Sequence, residues 1–558
     1  MPSPRLVNSR LRFLLFLILV VFGALLARAA WIQTVRASSL AARAQDQTRS
    51  SVVLPAGRGT IFDRLGAPLA LGEQATTVVA DPMQIRNPLQ EARLAAHTLH
   101  LKVKSLYPLL ADHARGFAYV ERKAPPDLAE SLATKKPTGF TFYPEERRVY
   151  PQGTVAAPVL GYAGTDNTGL AGLELQLDQQ LSGKPGSETV VRDALGQIVS
   201  MTSEHPARNG RDVFLTLDHT MQAQAEQVLR DTVRKWHAKD ASAIVLDPRT
   251  GAVLTMAQEP GYDANRFPQA LVRGIQANHA VTDVFEPGSV FKVVTIGAAL
   301  SEHLVTPHTS FTLPYAIHVA DRVIHDAERR PTERMTVAQI LQRSSNVGTV
   351  TIAERLLGEN RLKQWISRFG FGQRTGIDFP GESDGILPSY WSGSTIGNVP
   401  IGQGVSVTAI QLASVYAAIA NGGEWVQPHL VDRLQGGRPY APRRHRILSR
   451  DVDATLLKML KGVVSDQGTG EAAAIPGYSV AGKTGTAQKP GPYGYLKGKY
   501  VATFVGIVPA TAPRLVVLVS IDEPQGGYYA AEVAAPAFAQ IASFDLQYLE
   551  VPPDEPVR

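Results

Sequence analysis

The chain of 558 residues contains no cysteine, which excludes disulfide bonds, thiolate zinc sites, iron–sulfur clusters and cysteine nucleophiles. It also lacks a large charge excess: 56 Lys and Arg against 50 Asp and Glu give a net charge of +6. A nucleic-acid-binding protein concentrates basic residues on one element, so we predict no nucleic-acid partner. The 13 histidines show no ligand spacing such as His-x-x-x-His, and we predict neither metal nor cofactor. The length predicts more than one domain.

One long hydrophobic run is present, and nothing comparable follows it. Phe13–Ala27 holds fifteen uncharged residues, and the run extends to Ile32 if Arg28 reaches the interface. We therefore predict a membrane anchor over residues 13–32 after a short cytoplasmic tail, residues 1–12. A cleaved signal peptide is the alternative, because Ala27-Arg28-Ala29 fits a small-x-small cleavage pattern. Arginines flank both ends, so the positive-inside rule barely separates the two orientations.

The remaining chain divides by composition. Residues 33–214 contain Gly- and Pro-rich strand and turn segments and predict an irregular, β-rich module, whereas residues 215–548 alternate helices and strands and predict an α+β domain. The tail, residues 549–558, is predicted to be disordered. The main elements expected in the second domain are a helix over Thr220–Trp236, a hairpin of Ala243–Leu246 and Ala252–Met256, helices over 290–300, 336–357 and 408–420, and strands over Val501–Val508 and Leu515–Ile521.

A serine and a lysine lie three residues apart where Pro287 and Gly288 predict a helix start. Ser289 and Lys292 would share one helix face. Serine is a poor nucleophile without an adjacent base, and deprotonating a lysine at pH 7 costs about 4.6 kcal/mol. Burial, a helix N-terminus and a second cation each lower that cost. Alone, this motif is more often a cap followed by an exposed lysine.

Two further motifs follow in the chain. Ser344-Ser345-Asn346 comes after a helical stretch and places a hydroxyl and a carboxamide where both can face one cleft. Lys483-Thr484-Gly485-Thr486 completes a phosphate-loop spacing from Gly477. That loop must open a helix, but the segment after Gly485 is not helical, so we reject nucleotide binding. We predict an edge strand instead, whose Lys and Thr side chains bind a carboxylate and whose glycine lets substrate backbone approach.

Together, in this order, the three motifs resemble the signature of the penicillin-recognising serine acyltransferases. The strings Thr282–Lys292, Gln342–Gly348 and Ala481–Gln488 resemble a class B penicillin-binding protein, most closely the division-specific septal type. The segments Arg58–Arg64 and Gly169–Glu174 resemble its non-catalytic N-terminal module. The resemblance implies a β-lactamase-like α+β transpeptidase domain, with an antiparallel sheet flanked by helices. A dimerisation-type pedestal module and a single membrane-anchor helix would precede it.

The resemblance also implies roles for the serine and lysine residues. Ser289 would attack the carbonyl between the two D-alanines that end a peptidoglycan stem peptide, and Lys292 would take its proton. The N–H groups of Ser289 and Thr486 would form the oxyanion hole. Ser344, with Lys483, would return a proton to the departing D-alanine, and Lys483 would help to keep Lys292 neutral.

Substrate binding is implied for the rest of the motif residues. Asn346 would hold the amide of the acyl chain. Lys483, Thr484 and Thr486 would bind the terminal carboxylate, beside Gly485.

The implied partners are stem peptides, nascent glycan strands, β-lactams, the lipid bilayer, a membrane glycan-strand polymerase and other division proteins. The location would be the bacterial cytoplasmic membrane, with the catalytic domain outside. No Glu-Asp-x-x-Phe string lies in residues 30–210, so a bifunctional glycosyltransferase is excluded. An elongation-specific enzyme, a D,D-carboxypeptidase and a non-enzymatic β-lactam sensor or wall-binding scaffold remain alternatives. A β-lactamase would be about half this length and unanchored.

Overall fold

The structure is a computed structural model that describes residues 4–41, 49–192, 198–268, 271, 275 and 277–556. The ends of the two expected tails, residues 1–3 and 557–558, lie outside the described residues. The strands are β1 Arg49–Leu54, β2 Ile61–Phe62, β3 Pro68–Ala80, β4 Ala118–Ala124, β5 Phe140–Val149, β6 Gly186–Arg192, β7 Ile198–His205, β8 Val213–Leu215, β9 Asp240–Leu246, β10 Val253–Glu259, β11 Ser310–Leu313, β12 Ala316–Val319, β13 Arg322–His325, β14 Glu333–Thr336, β15 Glu424–Val426, β16 Val431–Leu434, β17 Arg444–Arg446, β18 Ala481–Gly491, β19 Gly494–Val508 and β20 Leu515–Asp522.

The α-helices are α1 Pro4–Thr34, α2 Pro88–Thr98, α3 Val103–Leu110, α4 Pro126–Ala133, α5 Ala157–Leu160, α6 Gly172–Gln176, α7 Asp178–Leu181, α8 His219–Trp236, α9 His279–Thr282, α10 Lys292–Ser301, α11 Val337–Gln342, α12 Asn346–Ile352, α13 Glu359–Arg368, α14 Thr395–Asn398, α15 Ala409–Ala420, α16 Arg450–Lys461 and α17 Ala530–Tyr548. A short 3₁₀ turn, Gly288–Phe291, leads into α10, and a π-helical turn, Ala353–Leu357, continues α12.

The first compact unit comprises Met1–Gly57 and Gly183–Asn209. It contains α1 and the three-stranded antiparallel sheet β1-β6-β7. Within α1, Asn8–Thr34 has a hydropathy of 2.6, and its 27 residues extend over about 40 Å, longer than the hydrocarbon core of a bilayer. The chain therefore has one N-terminal helix, among the residues described, that is long and apolar enough to cross a membrane.

The second unit comprises Arg58–Ser182 and Gly210–Arg558. In its N-terminal part a six-stranded sheet runs in the order β16-β8-β2-β3-β4, with β5 also paired to β3. β8 crosses the expected boundary between residues 214 and 215, and it pairs with β2 on one side and β16 on the other. The two parts of the second unit therefore share one sheet. The boundary expected from composition lies within this sheet, and not between the two compact units.

The two segments that resemble the N-terminal module, Arg58–Arg64 and Gly169–Glu174, meet in a buried ion network. Arg58 Nε and Arg148 Nε lie 2.7 and 2.6 Å from the carboxylate of Glu174, and Arg58 Nη1 lies 2.7 Å from Asp178. Glu174 is fully buried, so removing either arginine would leave a buried carboxylate short of a partner. This network ties the residues of the first motif to α6 and α7.

The second part is built on a five-stranded antiparallel sheet in the order β10-β9-β20-β19-β18. One face packs on α8 and α17, and the other packs on a core that includes residues of α10 and α15. The predicted hairpin, the helix over 220–236 and the two late strands are confirmed as β9–β10, α8, β19 and β20. α15 begins with a capping box of Thr408 and Gln411 and ends before Asn421, as expected. The α+β fold class is confirmed.

The expected disordered tail is ordered over the residues described, up to Pro556. Val551 is buried, and its carbonyl accepts a hydrogen bond from Tyr478 Oη at 2.6 Å. Asp554 accepts hydrogen bonds from Ser479 N at 2.7 Å and from the hydroxyls of Ser479 and Thr511. For the described residues of this segment the prediction is therefore wrong. The segment is polar and proline-rich, but the carboxylate of Asp554 holds it in place by accepting hydrogen bonds from donors that are distant in sequence.

Candidate active site

Ser289 lies in the 3₁₀ turn that leads into α10. Gly288 has a φ of +55°, a conformation that favours glycine, and its N–H donates to Gly402 O at 3.0 Å. The buried Tyr416 of α15 donates its hydroxyl to Val290 O at 2.9 Å. The turn is thus fixed from both sides, while Ser289 itself stays half-buried. The predicted helix start is confirmed.

Lys292 begins α10 and is fully buried. Its Nζ donates to Ser344 O at 2.5 Å, to Ser344 Oγ at 3.1 Å and to Asn346 Oδ1 at 2.7 Å. Burial, reinforced by the charge of Lys483, lowers the pKa of Lys292 well below its usual range, whereas Asp326 acts in the opposite direction. Burial therefore favours the neutral amine of Lys292, the form that a general base requires.

A general base is expected to contact its nucleophile, but the hydrogen bonds of Lys292 go elsewhere. All three go to Ser344 and Asn346, and among the described residues none joins Lys292 Nζ to Ser289 Oγ. A neutral amine has two N–H groups and one lone pair, so one of the three contacts must run in the other direction. Of the three partner atoms only Ser344 Oγ carries a hydrogen. In the neutral state Ser344 therefore donates to Lys292.

Ser344 and Asn346 lie at the junction of α11 and α12. Ser345 caps α12, since its Oγ accepts from Gly348 N at 2.9 Å. Ser344 adopts a φ of +58°, which is unusual for a residue with a side chain and turns its carbonyl onto Lys292. Asn346 Nδ2 donates to His325 O at 3.0 Å, which leaves its Oδ1 for Lys292.

A buried ion pair behind this junction was missed by the sequence reasoning. Asp326 accepts from Ser345 Oγ at 3.0 Å and from Val347 N at 3.0 Å, and Arg330 Nη2 lies 2.6 Å from its carboxylate. Charge patterning in the sequence predicts a solvated loop at Arg329-Arg330, and for Arg330 this prediction is wrong, because its side chain is only 9% exposed. Asp326 and Arg330 are four residues apart in a loop rather than on a helix, so the sequence offered no helical pairing signal for this contact.

Lys483 lies on β18, the edge strand of the five-stranded sheet, and is fully buried. Its Nζ donates to Ser344 Oγ at 3.0 Å and to Thr484 O at 3.1 Å. Burial lowers the pKa of Lys483 to about 7. Ser344 Oγ therefore bridges the two lysines. The strand also confirms the rejection of the phosphate loop, because β18 continues to Gly491 where a nucleotide-binding loop would open a helix.

The comparisons with known proteins match both parts of the chain. Residues 241–543, more than half of the chain, match the penicillin-binding protein transpeptidase domain. Residues 53–215 match the penicillin-binding protein dimerisation domain.

The chain belongs to the penicillin-binding proteins.

Several curated penicillin-binding proteins and related proteins are similar over nearly the full length. The probable peptidoglycan D,D-transpeptidase PenA of Neisseria meningitidis is 34% identical over 100% of this chain and 95% of its own. The peptidoglycan D,D-transpeptidase FtsI of Escherichia coli is 32% identical over 98% and 93%, and the stage V sporulation protein D of Bacillus subtilis is 33% identical over 98% and 87%.

A solved structure has the same fold. Penicillin-binding protein 3 of Mycobacterium tuberculosis, complexed with aztreonam, superimposes with a TM-score of 0.72 at 32% identity, covering 91% of this chain and 99% of the other. Membership in the penicillin-binding proteins and the serine transpeptidase class predicted from the motifs are thereby confirmed.

β18, the strand that carries the Lys483–Thr486 motif and is called the motif strand below, packs on the serine turn, Gly288–Phe291, of this penicillin-binding protein. A Cβ added to Gly485 would lie 2.7 Å from Pro287 O and 3.0 Å from Val290 Cγ1. Thr486 is half-buried, and its Oγ1 accepts from Ala530 N, at the start of α17, at 3.0 Å. Thr484 is buried, and its Oγ1 lies 2.9 Å from Thr469 Oγ1. The strand can approach the serine turn this closely because residue 485 has no side chain.

Proposed function

We propose that this penicillin-binding protein is a septal-type peptidoglycan D,D-transpeptidase with Ser289 as its nucleophile. The observation that carries the proposal is the convergence of Lys292 and Lys483, both fully buried, on the single hydroxyl of Ser344. Two ammonium groups around one neutral oxygen repel each other, so at least one lysine loses its proton near neutrality. That neutral amine is the base that a serine nucleophile lacks.

In the acylation step Ser289 Oγ attacks the carbonyl carbon of the amide between two terminal D-alanines. An ester forms, the amide C–N bond breaks and D-alanine leaves. Lys292 takes the hydroxyl proton. Ser344, in contact with Lys483, delivers its own proton to the departing nitrogen and receives the proton held by Lys292 in return, which leaves Lys292 neutral again. The N–H groups of Ser289 and Thr486 stabilise the oxyanion, and each such donor contributes about 3 kcal/mol.

The remaining motif residues bind the donor peptide. Lys483, Thr484 and Thr486 would hold the terminal carboxylate, and Gly485 would let the peptide backbone lie close to the strand. Asn346 would hold the amide of the acyl chain.

The acyl-enzyme is then attacked by an amine of a neighbouring stem peptide, which forms a cross-link and frees Ser289. β-Lactams would acylate the same hydroxyl. The septal role is supported by the resemblance of Thr282–Lys292 and Gln342–Gly348 to division-specific enzymes and by the similarity to FtsI of Escherichia coli.

The proposed function gives each segment of the chain a role. Residues 13–32 would anchor the chain in the bacterial cytoplasmic membrane, residues 33–214 would form a non-catalytic pedestal and residues 215–548 would act outside the cytoplasm. A separate membrane polymerase would supply the glycan strands, and it would be a partner of this chain together with other division proteins.

Intact-mass spectrometry with a penicillin tests the nucleophile. One covalent adduct is expected on the full chain, mapped by peptide analysis to Ser289 and absent from Ser289→Ala, whose melting temperature should be unchanged. An adduct on another residue, or persistent labelling of Ser289→Ala, would contradict the proposal.

The reaction type needs a second measurement. A synthetic peptide ending in D-Ala-D-Ala is incubated with an amine acceptor, and the products are followed in time. A cross-linked product supports transpeptidation, whereas hydrolysis alone would make the protein a carboxypeptidase.

A further inference from the structure

The chain segment that leads into the Ser289 turn makes close backbone contacts with residues 402–407. Phe285 N donates to Val407 O at 3.0 Å, and Val407 N returns a hydrogen bond to Phe285 O at 2.9 Å. Gly288 N donates to Gly402 O at 3.0 Å. A Cβ added to Gly402 would lie 2.1 Å from Gly288 O, so the two segments are in direct backbone contact.

Glu286 lies in the middle of this paired segment and is only 7% exposed. Its Oε1 accepts from Gly404 N at 2.8 Å, and its Oε2 accepts from the hydroxyl of Tyr495 at 2.9 Å. No lysine, arginine or histidine among the described residues forms an ion pair with it. A buried carboxylate without a cation is costly, and burial raises the pKa of Glu286.

Tyr495 is on the opposite side of this contact, near the tip of the β18–β19 hairpin. That hairpin begins at Ala481, carries Lys483 and Thr484 on its first strand and turns between Gly491 and Gly494. Tyr495 is 46% exposed, so its hydroxyl could be hydrated by solvent at little cost. Its hydrogen bond to Glu286 is the described link between the carboxylate and the far end of the hairpin.

We propose that Glu286 is a positioning residue for Ser289, and that its carboxylate joins the serine turn, the 402–404 loop and the β18–β19 hairpin through Gly404 and Tyr495. This inference rests on the proposed function of Ser289. The carboxylate is three residues from the nucleophile and contacts one segment on each side of it. Loss of the contact to Tyr495 leaves the hairpin end free to move away from the turn, and the nucleophile then spends less time in its attacking position.

The test is the rate of acylation of the full chain in detergent by a fluorescent penicillin, measured as a function of penicillin concentration. Tyr495→Phe removes only the hydroxyl, and the limiting acylation rate is expected to fall about tenfold, because hydrogen bonds to charged groups are the stronger ones. The penicillin concentration for half-maximal rate should not change. Tyr493→Phe is the matched control, since Tyr493 is fully exposed on the same hairpin, and it should react as the wild type does.

A second variant checks that Tyr495 acts through Glu286. In Glu286→Gln the hydroxyl meets a neutral amide, so adding Tyr495→Phe should slow acylation by a smaller factor than it does in the wild type. The inference is overturned if Tyr495→Phe is acylated at the wild-type rate, if it changes only the half-maximal concentration, or if its factor is the same in both backgrounds.

These outcomes are distinct from failure of the proposed function. In that case the wild-type chain itself takes up no penicillin, or Ser289→Ala is labelled as well.

Discussion

Ser344 presents two oxygen atoms to Lys292: its main-chain carbonyl lies 2.5 Å and its hydroxyl 3.1 Å from Nζ. Both contacts depend on the left-handed backbone of Ser344, with a φ of +58°. A non-glycine residue in this region costs about 1 kcal/mol or more. The strain is therefore located at the residue that joins the two lysines, where it orients the carbonyl.

Replacing Ser344 separates the backbone strain from the hydroxyl. Ser344→Gly relieves the strain but loses the hydroxyl, so we expect a melting temperature equal to or above that of the wild type. Acylation by penicillin should fall by about 10²-fold or more, the size of a lost proton-transfer group. Thermal melts and stopped-flow labelling of the same preparation measure both.

Ser344→Ala is the matched control for this substitution. It loses the same hydroxyl while keeping the strained backbone, so it should be as slow as Ser344→Gly and melt at a lower temperature. Equal melting temperatures for the two variants would mean that the φ of Ser344 carries no strain.

Lys292 should be a residue that the protein keeps at a cost in stability. The unfolded chain holds this proton up to about pH 10.4, whereas burial lowers the pKa of folded Lys292. The unfolded state thus binds more protons, and stability rises with pH over that interval. Lys292→Met removes the penalty, and we expect a higher melting temperature at pH 7, together with acylation slower by about 10²- to 10⁴-fold.

The pH dependence provides the check on this prediction. The stability advantage of Lys292→Met should shrink as pH rises toward the unfolded pKa of about 10.4, by at most about 1.4 kcal/mol per pH unit. A variant that melts well below the wild type at pH 7 would instead identify Lys292 as a charged structural residue.

The positions of the three motifs were predictable, but the groups behind them were not. The expected helix start at Ser289 and the edge strand at Lys483 both follow from local signals, namely Pro and Gly before a helical run and a short β-forming segment. The resemblance to a known family then brought the motifs together. Pairwise convergence of Lys292 and Lys483 on one hydroxyl depends on tertiary packing, which no local pattern encodes.

Two errors have the same physical origin. Arg330 was expected in solvent and the 549–558 tail was expected to be disordered, because charged and proline-rich segments usually are. In both cases a single buried or half-buried carboxylate, Asp326 or Asp554, accepts several hydrogen bonds from residues nearby in space. Composition alone does not show where such a partner lies.

Asp326 should tune the pH range of the enzyme. Its charge raises the pKa of Lys292 against the effect of burial, so Asp326→Asn should lower that pKa further. We expect the acid limb of the pH profile of acylation to move to lower pH. The melting temperature should also fall, because Arg330 loses its 2.6 Å ion pair with Asp326 and keeps only the looser 3.6 Å contact with Glu333.

A conservative substitution of the cation distinguishes these two effects. Arg330→Lys keeps the charge but loses the two-pronged contact that Arg330 Nε and Nη2 make with Asp326. It should lower the melting temperature while leaving the acid limb in place. If the limb does not move in Asp326→Asn, the charge of Asp326 does not reach Lys292.

Gly485 sets how closely the motif strand can approach the serine turn. In Gly485→Ala the new Cβ would lie 2.7 Å from Pro287 O, and because that neighbour is backbone, the strand or the turn must shift by several tenths of an ångström. Misplacement on this scale affects the attack geometry more than the core. We expect acylation to slow by about 10-fold to 10²-fold, while Gly261→Ala, where the nearest atom is 3.9 Å away, reacts as the wild type does. Wild-type acylation of Gly485→Ala would show that the approach of the strand to the turn is not needed for attack by Ser289.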